Sequence, residues 1–535
     1  MSKKDYLFEL IQSLDKSEKR YFKLYFSGDK KEQKYMHLYN AIEKATVYDE
    51  RKIKSSIKDE YVSKHFAETK YYLYQLILRV LKNYRTENSV DNLLIDKIQN
   101  IEVLIQKALW NQAINELEKA KKMTYDYERF EFLQLLFSYQ AKIIVSTRLH
   151  GISETDLQDL LNERQDAQLK ITQTQNARHK VMQLVEARNR IGYIKTKKDI
   201  AFYDNIKNEI EHILEHADCN IAKIYAIESL VFYYNHTNKK KEQNFYCKKL
   251  VELHTQNPNI NASNPYQLPS ALHNLCLSEI NLLNFDNALF WIKKELAYLE
   301  IIQNDAEIKY KVEWSLASLQ SFFYNVSGRF DEGNAVANQL LKWIESTEQL
   351  DNTSRWRFYG NCAEIFLSSK NYKRFFYCMH KLQEFWNNID SYHKINYTVL
   401  QMMAHLDEKE IESVLYSYNF LEKEINTIRD NQPTIIEQIL LDFFKQLQDK
   451  KQVKNLTQLI KSTHLLLKEN EQEIQTGEFE YALWLEQMLT KNSFENLVRQ
   501  KRKTQQADVE QFWNNDLKIE IDFEQFRKSL PKRIR

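Results

Sequence analysis

The stretch GRFDEG (residues 328–333) decides the fold, because degenerate copies of it recur along the middle of the chain. The segment FDNAL (residues 285–289) repeats its aromatic and acidic start, and NY (371–372) and NKK (238–240) are weaker copies. The aligned positions 240, 285, 330 and 372 are separated by 45, 45 and 42 residues. Self-similarity at a nearly constant spacing predicts a repeat architecture.

The scarcity of turn residues indicates that the repeats are helical. The 535-residue chain has 43% hydrophobic residues, enough for an extensive core, but only 7 Gly and 5 Pro. Average usage would give about 60 of these two residue types together. Sheets and tight hairpins consume glycine for positive φ angles. Helices joined by short polar connections are therefore expected.

The repeated stretches resemble the tetratricopeptide family of helix-pair repeats. In that pattern an aromatic residue follows the turn, and a small residue follows three positions later on the second helix. The segment WNQAINELEKA (residues 110–120) resembles such a second helix, and Gly333 occupies the small position after Phe330. Phe375 and Lys240 depart from the pattern, and the spacing of 42–45 residues exceeds the family's period of about 34.

These observations predict an all-α protein: an α-α superhelical solenoid of antiparallel helix pairs with a small N-terminal helical domain. The expected domains are a basic helical domain at 1–90, the solenoid at 91–510 and an extended basic tail at 511–535. Asp15 and Glu18 have the spacing of a capping box that opens the second helix.

Two segments depart from the helical pattern. NPNINASNPYQLP (residues 257–269) contains three of the five prolines and predicts a loop or hinge between repeats. Residues 517–523 alternate apolar and charged side chains, which predicts an extended strand.

Charge and cysteine content predict a cytoplasmic protein with no membrane segment. The formal net charge is +2, with +6 in residues 1–90, +4 in residues 491–535 and −8 between them. The five cysteines are far apart, odd in number and without a C-x-x-C motif, which fits reduced thiols. No stretch of the sequence has the length and apolar character of a membrane span.

The resemblance implies a protein-protein interaction scaffold that binds a peptide or partner domain in its concave groove. Asparagines in such a groove can bond both N–H and C=O of an extended peptide, or else simply close a helix near its turn. No enzymatic activity and no cofactor are expected, because seven scattered glycines form no phosphate-binding loop. The family's groove positions correspond here to Tyr225, Phe232, Asn235, His273, Asn274, Asn281, Phe322, Asn325, Arg357, Asn361 and Glu364.

Two alternatives follow from other patterns. The basic N-terminal helices, with Lys19, Arg20 and Lys23 among aromatics, could contact nucleic acid, as could the basic residues of segments 499–503 and 527–535. His212, Glu215 and His216 have the H-x-x-E-H order of a zinc-dependent hydrolase, with Cys219 one turn further along the same helix face. Exposed polar residues on an amphipathic helix produce the same pattern.

Overall fold

The computed structural model describes residues 5–25, 33–57, 59–85, 89–147, 153–191, 197–302, 305–428, 433–449, 453–471, 479–510 and 528. Every regular element in these ranges is a helix. The predicted all-α class is therefore confirmed. The predicted strand at 517–523 lies outside the described residues. Two compact units are present, one up to Ile171 and the other from Thr172 to Lys528.

The first unit begins with six helices around a core of their own. Asp15 and Glu18 form the predicted capping box, because each side chain accepts a hydrogen bond from the other's backbone N–H. The buried core runs from Leu7 on the first helix to Leu81 on the sixth. The six helices are α1 (Tyr6–Ser13), α2 (Lys16–Tyr25), α3 (Gln33–Glu43), α4 (Glu50–Ser56), α5 (Glu60–Lys64) and α6 (Phe66–Arg85).

Of the next four helices, the first two form a pair, as the sequence around Trp110 predicts. The four are α7 (Val90–Gln106), α8 (Trp110–Asp126), α9 (Leu133–Ser146) and α10 (Glu154–Ile191). On α8 the small residues Ala113 and Ala120 are fully buried, and Leu117 is nearly so. The α8 helix packs against α7, and α7 also contacts α9.

The second unit consists mainly of antiparallel helix pairs. They are α11 (Lys197–His216), α12 (Asn220–His236), α13 (Lys240–Gln256), α14 (Pro258–Ser263), α15 (Gln267–Asn281), α16 (Phe285–Ile301), α17 (Ala306–Ser327), α18 (Phe330–Ser346), α19 (Asn352–Ser368), α20 (Tyr372–Glu384), α21 (Ser391–Asp407), α22 (Ile411–Ile428), α23 (Ile435–Gln446), α24 (Leu456–Glu469), α25 (Tyr481–Leu489) and α26 (Phe494–Glu510).

Packing between neighbouring pairs follows one rule. The first helix of each pair packs against the second helix of its own pair and of the preceding pair. From α15 onward, first helices also contact one another, in the order α15, α17, α19 and α21. Stacking of this kind forms a helical solenoid with one side lined by first helices.

The turns within the pairs share one backbone geometry. A residue with positive φ ends the first helix, and the second helix begins two positions later. Gly328 occupies this position once, and its φ of 68° is in the left-handed region. Non-glycine residues occupy the other turns: Ala108, Asn238, Leu283, Lys370 and Lys409. The second helices begin at Lys240, Phe285, Phe330 and Tyr372, which are the positions that the sequence spacing aligns.

The prediction of a loop at 257–269 is wrong for much of that segment. Residues 258–263 form the short helix α14, and α15 begins at Gln267, two residues before Pro269. Proline fits the first turn of a helix because the first amide groups have no intrahelical acceptor. Buried Asn261 fixes the connection through hydrogen bonds with His254.

The expected domain boundaries at 90 and 510 stay predictions. The first six helices have a separate core, and the division between the two compact units falls within α10, between Ile171 and Thr172.

Candidate functional site

All eleven predicted groove positions lie on the first helices α12, α15, α17 and α19 of the second unit. We call the side of that unit lined by α12, α15, α17, α19 and α21 the first-helix face. Only Asn235 and Arg357 are exposed, and the other nine residues are partly buried. A face that binds a ligand needs polar groups that are held in place but still open to solvent. The hydrogen-bond partners of each predicted residue therefore decide whether it could contact a ligand.

A ladder of side-chain hydrogen bonds connects α17 with α19. The Nδ2 of Asn361 donates to the Ser321 Oγ at 3.0 Å. The Nδ2 of Asn325 donates to the backbone carbonyl oxygen of Asn361 at 3.2 Å. These two predicted groove asparagines are therefore brought together, and they join two repeats. Ser321 was not predicted, because its role depends on a residue 40 positions away.

A second rung connects α19 with α21. Asn396 Nδ2 donates to Oε1 of Glu364 at 3.3 Å, and burial raises the pKa of Glu364 to about 7. Glu364 still keeps some solvent exposure.

His273 belongs to a buried relay and not to an open groove. Its Nδ1 lies 2.8 Å from the Ser315 Oγ, and that hydroxyl donates to the Glu295 carboxylate. Burial lowers the pKa of His273 to about 4 and raises that of Glu295 to about 8. The serine lies between the other two groups and is fully buried. A catalytic triad instead has histidine in the middle and an accessible nucleophile.

The predicted residues on α12 contact arginines of α10. The Nη2 of Arg178 donates to the Tyr225 hydroxyl oxygen at 3.0 Å, and its guanidinium lies 5.0 Å from the centre of that ring. Arg188 lies 5.9 Å from the ring centre of Phe232. Between these two aromatics on α12 is Glu228, which was not predicted as a groove residue.

Five further predicted residues make no side-chain hydrogen bond or ion pair among the described residues. Asn274 and Phe322 are partly buried in the middle of α15 and α17, whereas Asn235 and Asn281 lie in the last turns of their helices. Arg357 is exposed, and its guanidinium lies 5.4 Å from the ring centre of Trp356. These side chains have polar or apolar surface that a ligand could contact.

The chain's own C-terminal helices pack against part of this unit. The Tyr481 hydroxyl on α25 donates to Oδ1 of Asn396 at 2.7 Å, next to Glu364. The ring of Phe494 on α26 stacks on Phe330 with a centroid separation of 5.3 Å. The first-helix face around α21 is therefore in contact with polypeptide in this structure.

Two arginines of α26 cap the end of α17. Arg499 Nε donates to the carbonyl oxygen of Gly328 at 3.1 Å, and Arg502 Nε donates to that of Val326 at 3.0 Å. The last carbonyl groups of a helix have no intrahelical donor, so the guanidinium groups satisfy them. Buried Arg502 also binds the Glu480 carboxylate at 2.6 Å.

The cations predicted to neutralise phosphates are mostly paired within the chain. Arg499 binds Glu495 at 2.8 Å, and Lys501 binds Glu480 at 2.7 Å. Lys23 on α2 binds Glu43 at 2.7 Å, and the neighbouring Phe22 is part of the core. The cations at 527 and 532–535 lie outside the described residues.

The H-x-x-E-H motif is exposed on α11. The His212 and His216 rings stack with centroids 4.3 Å apart, and Nδ1 of His216 lies 2.9 Å from the carbonyl oxygen of His212. Cys219 is buried beside Thr174. His212 and His179 line an open cleft of about 560 Å³ between α10 and α11. The described residues contain no group of three ligands suited to a metal ion.

Comparison with known proteins adds no assignment. The chain matches no protein-family model and no curated protein. None of the described helices combines the length and apolar character that crossing a lipid bilayer requires.

Proposed function

We propose that the protein is a non-enzymatic protein-protein interaction scaffold that binds an extended peptide or a partner domain on the first-helix face. The observation that carries this proposal is the position of Glu228, Asn274 and Glu364. All three are partly exposed on first helices, and partial burial raises the pKa of the two carboxyl groups to about 7. Polar side chains on the floor of a groove can bind backbone and side-chain groups of a peptide.

The contact between Tyr481 and Asn396 supports the same proposal. A side-chain amide of α21 here accepts a hydrogen bond from another part of the chain, at 2.7 Å. A side-chain amide is also present on α15, where that of Asn274 makes no hydrogen bond among the described residues. A peptide bound along α12 and α15 would form hydrogen bonds with the amide of Asn274, just as the Tyr481 hydroxyl donates one to the amide oxygen of Asn396.

The repeat geometry supports a place in the tetratricopeptide-like superfamily. The left-handed turn residues, the buried small residues Ala113, Ala288 and Gly333, and the contacts between successive first helices all follow that pattern. Five free, buried cysteines support a cytoplasmic location, because thiols remain reduced there.

Selection of peptides on the full-length protein tests the proposal. Random dodecapeptides displayed on phage are panned against the immobilised chain, and the best binder is synthesised with a fluorescent label. We expect Asn274→Ala to weaken its binding about tenfold, because a bidentate amide contact is lost. Asn287→Ala is the matched control, since Asn287 is an exposed asparagine on the second helix α16.

The full chain is required in this experiment. A fragment that ends at residue 490 would remove α26, whose Phe494 and Arg502 pack onto α17 and α18. The proposal fails if no peptide is selected, or if Asn274→Ala and Asn287→Ala bind the peptide equally well.

A further inference from the structure

The acidic side chains of the first six helices are almost all engaged within those helices. Four aspartates cap helix N-termini: Asp5, Asp15, Asp49 and Asp59. Glu18 completes the capping box with Asp15. Four further glutamates lie within ion-pair distance of a lysine or histidine: Glu43, Glu50, Glu60 and Glu68. Of the carboxylates described in residues 5–85, only Glu9 has neither role. Cations elsewhere on these helices therefore have almost no carboxylate left to neutralise them.

Helix α2 presents such cations. Lys16 and Arg20 are exposed and one helical turn apart, and Lys19 between them is partly exposed. In contrast to Lys23, none of these three side chains makes a hydrogen bond or ion pair among the described residues. The acidic residue of α2, Glu18, is buried in the capping box. The exposed face of α2 is therefore basic.

The exposed face of α6 has the same character. Four exposed residues recur every three or four positions and therefore share one face: Tyr71, Gln75, Arg79 and Lys82. No Asp or Glu occurs on α6 after Glu68. Arg79 makes no hydrogen bond or ion pair among the described residues. This face thus carries an aromatic ring, an amide and two cations, without a carboxylate.

The two helices lie side by side. Helix α2 packs against α6, and the ring centroids of Tyr21 and Tyr84 are 4.7 Å apart. Arg20 precedes Tyr21, and Lys82 lies two residues before Tyr84, so the cations of α2 lie next to the C-terminal end of the α6 face. We call the following exposed residues the α2–α6 surface: Lys16, Arg20, Tyr71, Gln75, Arg79 and Lys82.

This surface combines the two features with which proteins bind single-stranded nucleic acid. Cations neutralise the phosphates, and aromatic rings stack on unpaired bases. Tyr71 is 69% exposed, so its ring is accessible to a base. An acidic protein surface would contact the cations alone, and the bases of a duplex are already stacked on one another. The exposed ring therefore favours a single strand.

We propose that the α2–α6 surface binds single-stranded nucleic acid. Lys16, Arg20 and Arg79 donate hydrogen bonds to phosphate oxygens, and one base stacks on Tyr71. The surface lies in the first unit and shares no residue with the first-helix face. This binding function is therefore separate from the binding of a peptide.

Fluorescence anisotropy of the full-length protein with a labelled oligothymidylate of about 20 nucleotides tests the proposal. We expect the affinity to fall about twentyfold between about 50 mM and about 200 mM KCl, because three phosphates are neutralised. The double variant Arg20→Gln, Arg79→Gln retains one of these three cations. Its affinity should be lower at about 50 mM KCl and should fall only about threefold over the same range.

Two comparisons separate this surface from net charge and from folding. The double variant Lys52→Gln, Lys64→Gln removes the same charge from exposed lysines of α4 and α5 and should bind like the wild type. Tyr71→Ala should weaken binding about tenfold through loss of stacking, whereas Tyr71→Phe keeps the ring and should retain the affinity. All five positions are exposed, so circular dichroism should show unchanged unfolding temperatures.

Three results would overturn the proposal and leave the peptide-binding function intact. The first is no binding of the oligonucleotide at about 50 mM KCl. The second is equal binding by the two double variants. The third is displacement of the oligonucleotide by polyglutamate, or by a duplex of the same length, as efficiently as by the unlabelled single strand. That result would show a surface that attracts any polyanion.

Discussion

At the scale of single residues, burial sets the protonation of several groups. Burial raises the pKa of Glu295 to about 8 and lowers that of His254 and His273 to about 4. The raised pKa of Glu295 and the lowered pKa values of the histidines make the stability of the fold depend on pH in opposite ways. Glu295 stabilises the fold most below the ordinary carboxyl pKa, and this contribution is lost as the pH rises towards 8. The histidines stabilise it above their ordinary pKa and destabilise it as the pH falls towards 4.

Replacement of Glu295 tests the first of these effects. Between about pH 6 and about pH 8.5 the wild-type protein should lose a few kcal/mol of stability to the ionisation of Glu295. Glu295→Gln cannot ionise, so its free energy of unfolding should fall less over the same range. Urea denaturation at both pH values measures the difference. Glu300→Gln, at an exposed site on the same helix, should behave like the wild type. Equal pH dependence of Glu295→Gln and wild type would contradict the prediction.

At the scale of elements, most turns within the helix pairs hold a non-glycine residue in a strained, left-handed backbone conformation. Of the six turns with this geometry in the described ranges, five have a side chain at the left-handed position and one has a glycine, Gly328. A Cβ atom in this conformation costs about 1–2 kcal/mol. Low glycine content thus does not exclude left-handed turns, because stacked helices fix the turn geometry.

Glycine at one of these turns should stabilise the protein. Lys409 is exposed and has a φ of 64°. Lys409→Gly relieves the left-handed strain but gives the unfolded chain more freedom, so the expected net gain is about 0.5 kcal/mol. The shift of the urea unfolding midpoint measures it. Lys409→Ala keeps the Cβ atom and should give no gain. A midpoint for the glycine variant at or below that of the alanine variant would argue against turn strain.

At the scale of the second unit, its last helix completes the core. Phe494 and Val498 of α26 belong to the same buried cluster as residues of α17 to α25. Arg502 joins Glu480 to the end of α17, with both side chains more than nine-tenths buried. Helices distant in sequence therefore depend on one another.

Removal of α26 should expose apolar surface. A chain ending at residue 490 leaves Phe330 and the Glu480 carboxylate without these partners. We expect stronger binding of a dye that reports exposed apolar surface, and a lower unfolding temperature. A chain ending at residue 510 retains α26 and its contacts and should resemble the full-length protein in both measurements. Identical dye binding by the two truncated chains would show that α26 is dispensable for the core.

Local patterns in the sequence determined the helical class, the capping box at Asp15 and the start of each second helix at 240, 285, 330 and 372. Glycine scarcity, apolar periodicity and turn spacing all act within a few residues, so one sequence suffices to read them. Tertiary structure alone decided which of the predicted groove residues pair with other side chains. It paired His273 with Ser315 and Asn361 with Ser321, whereas Glu228 has no hydrogen-bond or ion-pair partner within the part of the chain that the structure describes. These outcomes depend on side chains about forty positions apart, whose meeting is set by how the repeats stack.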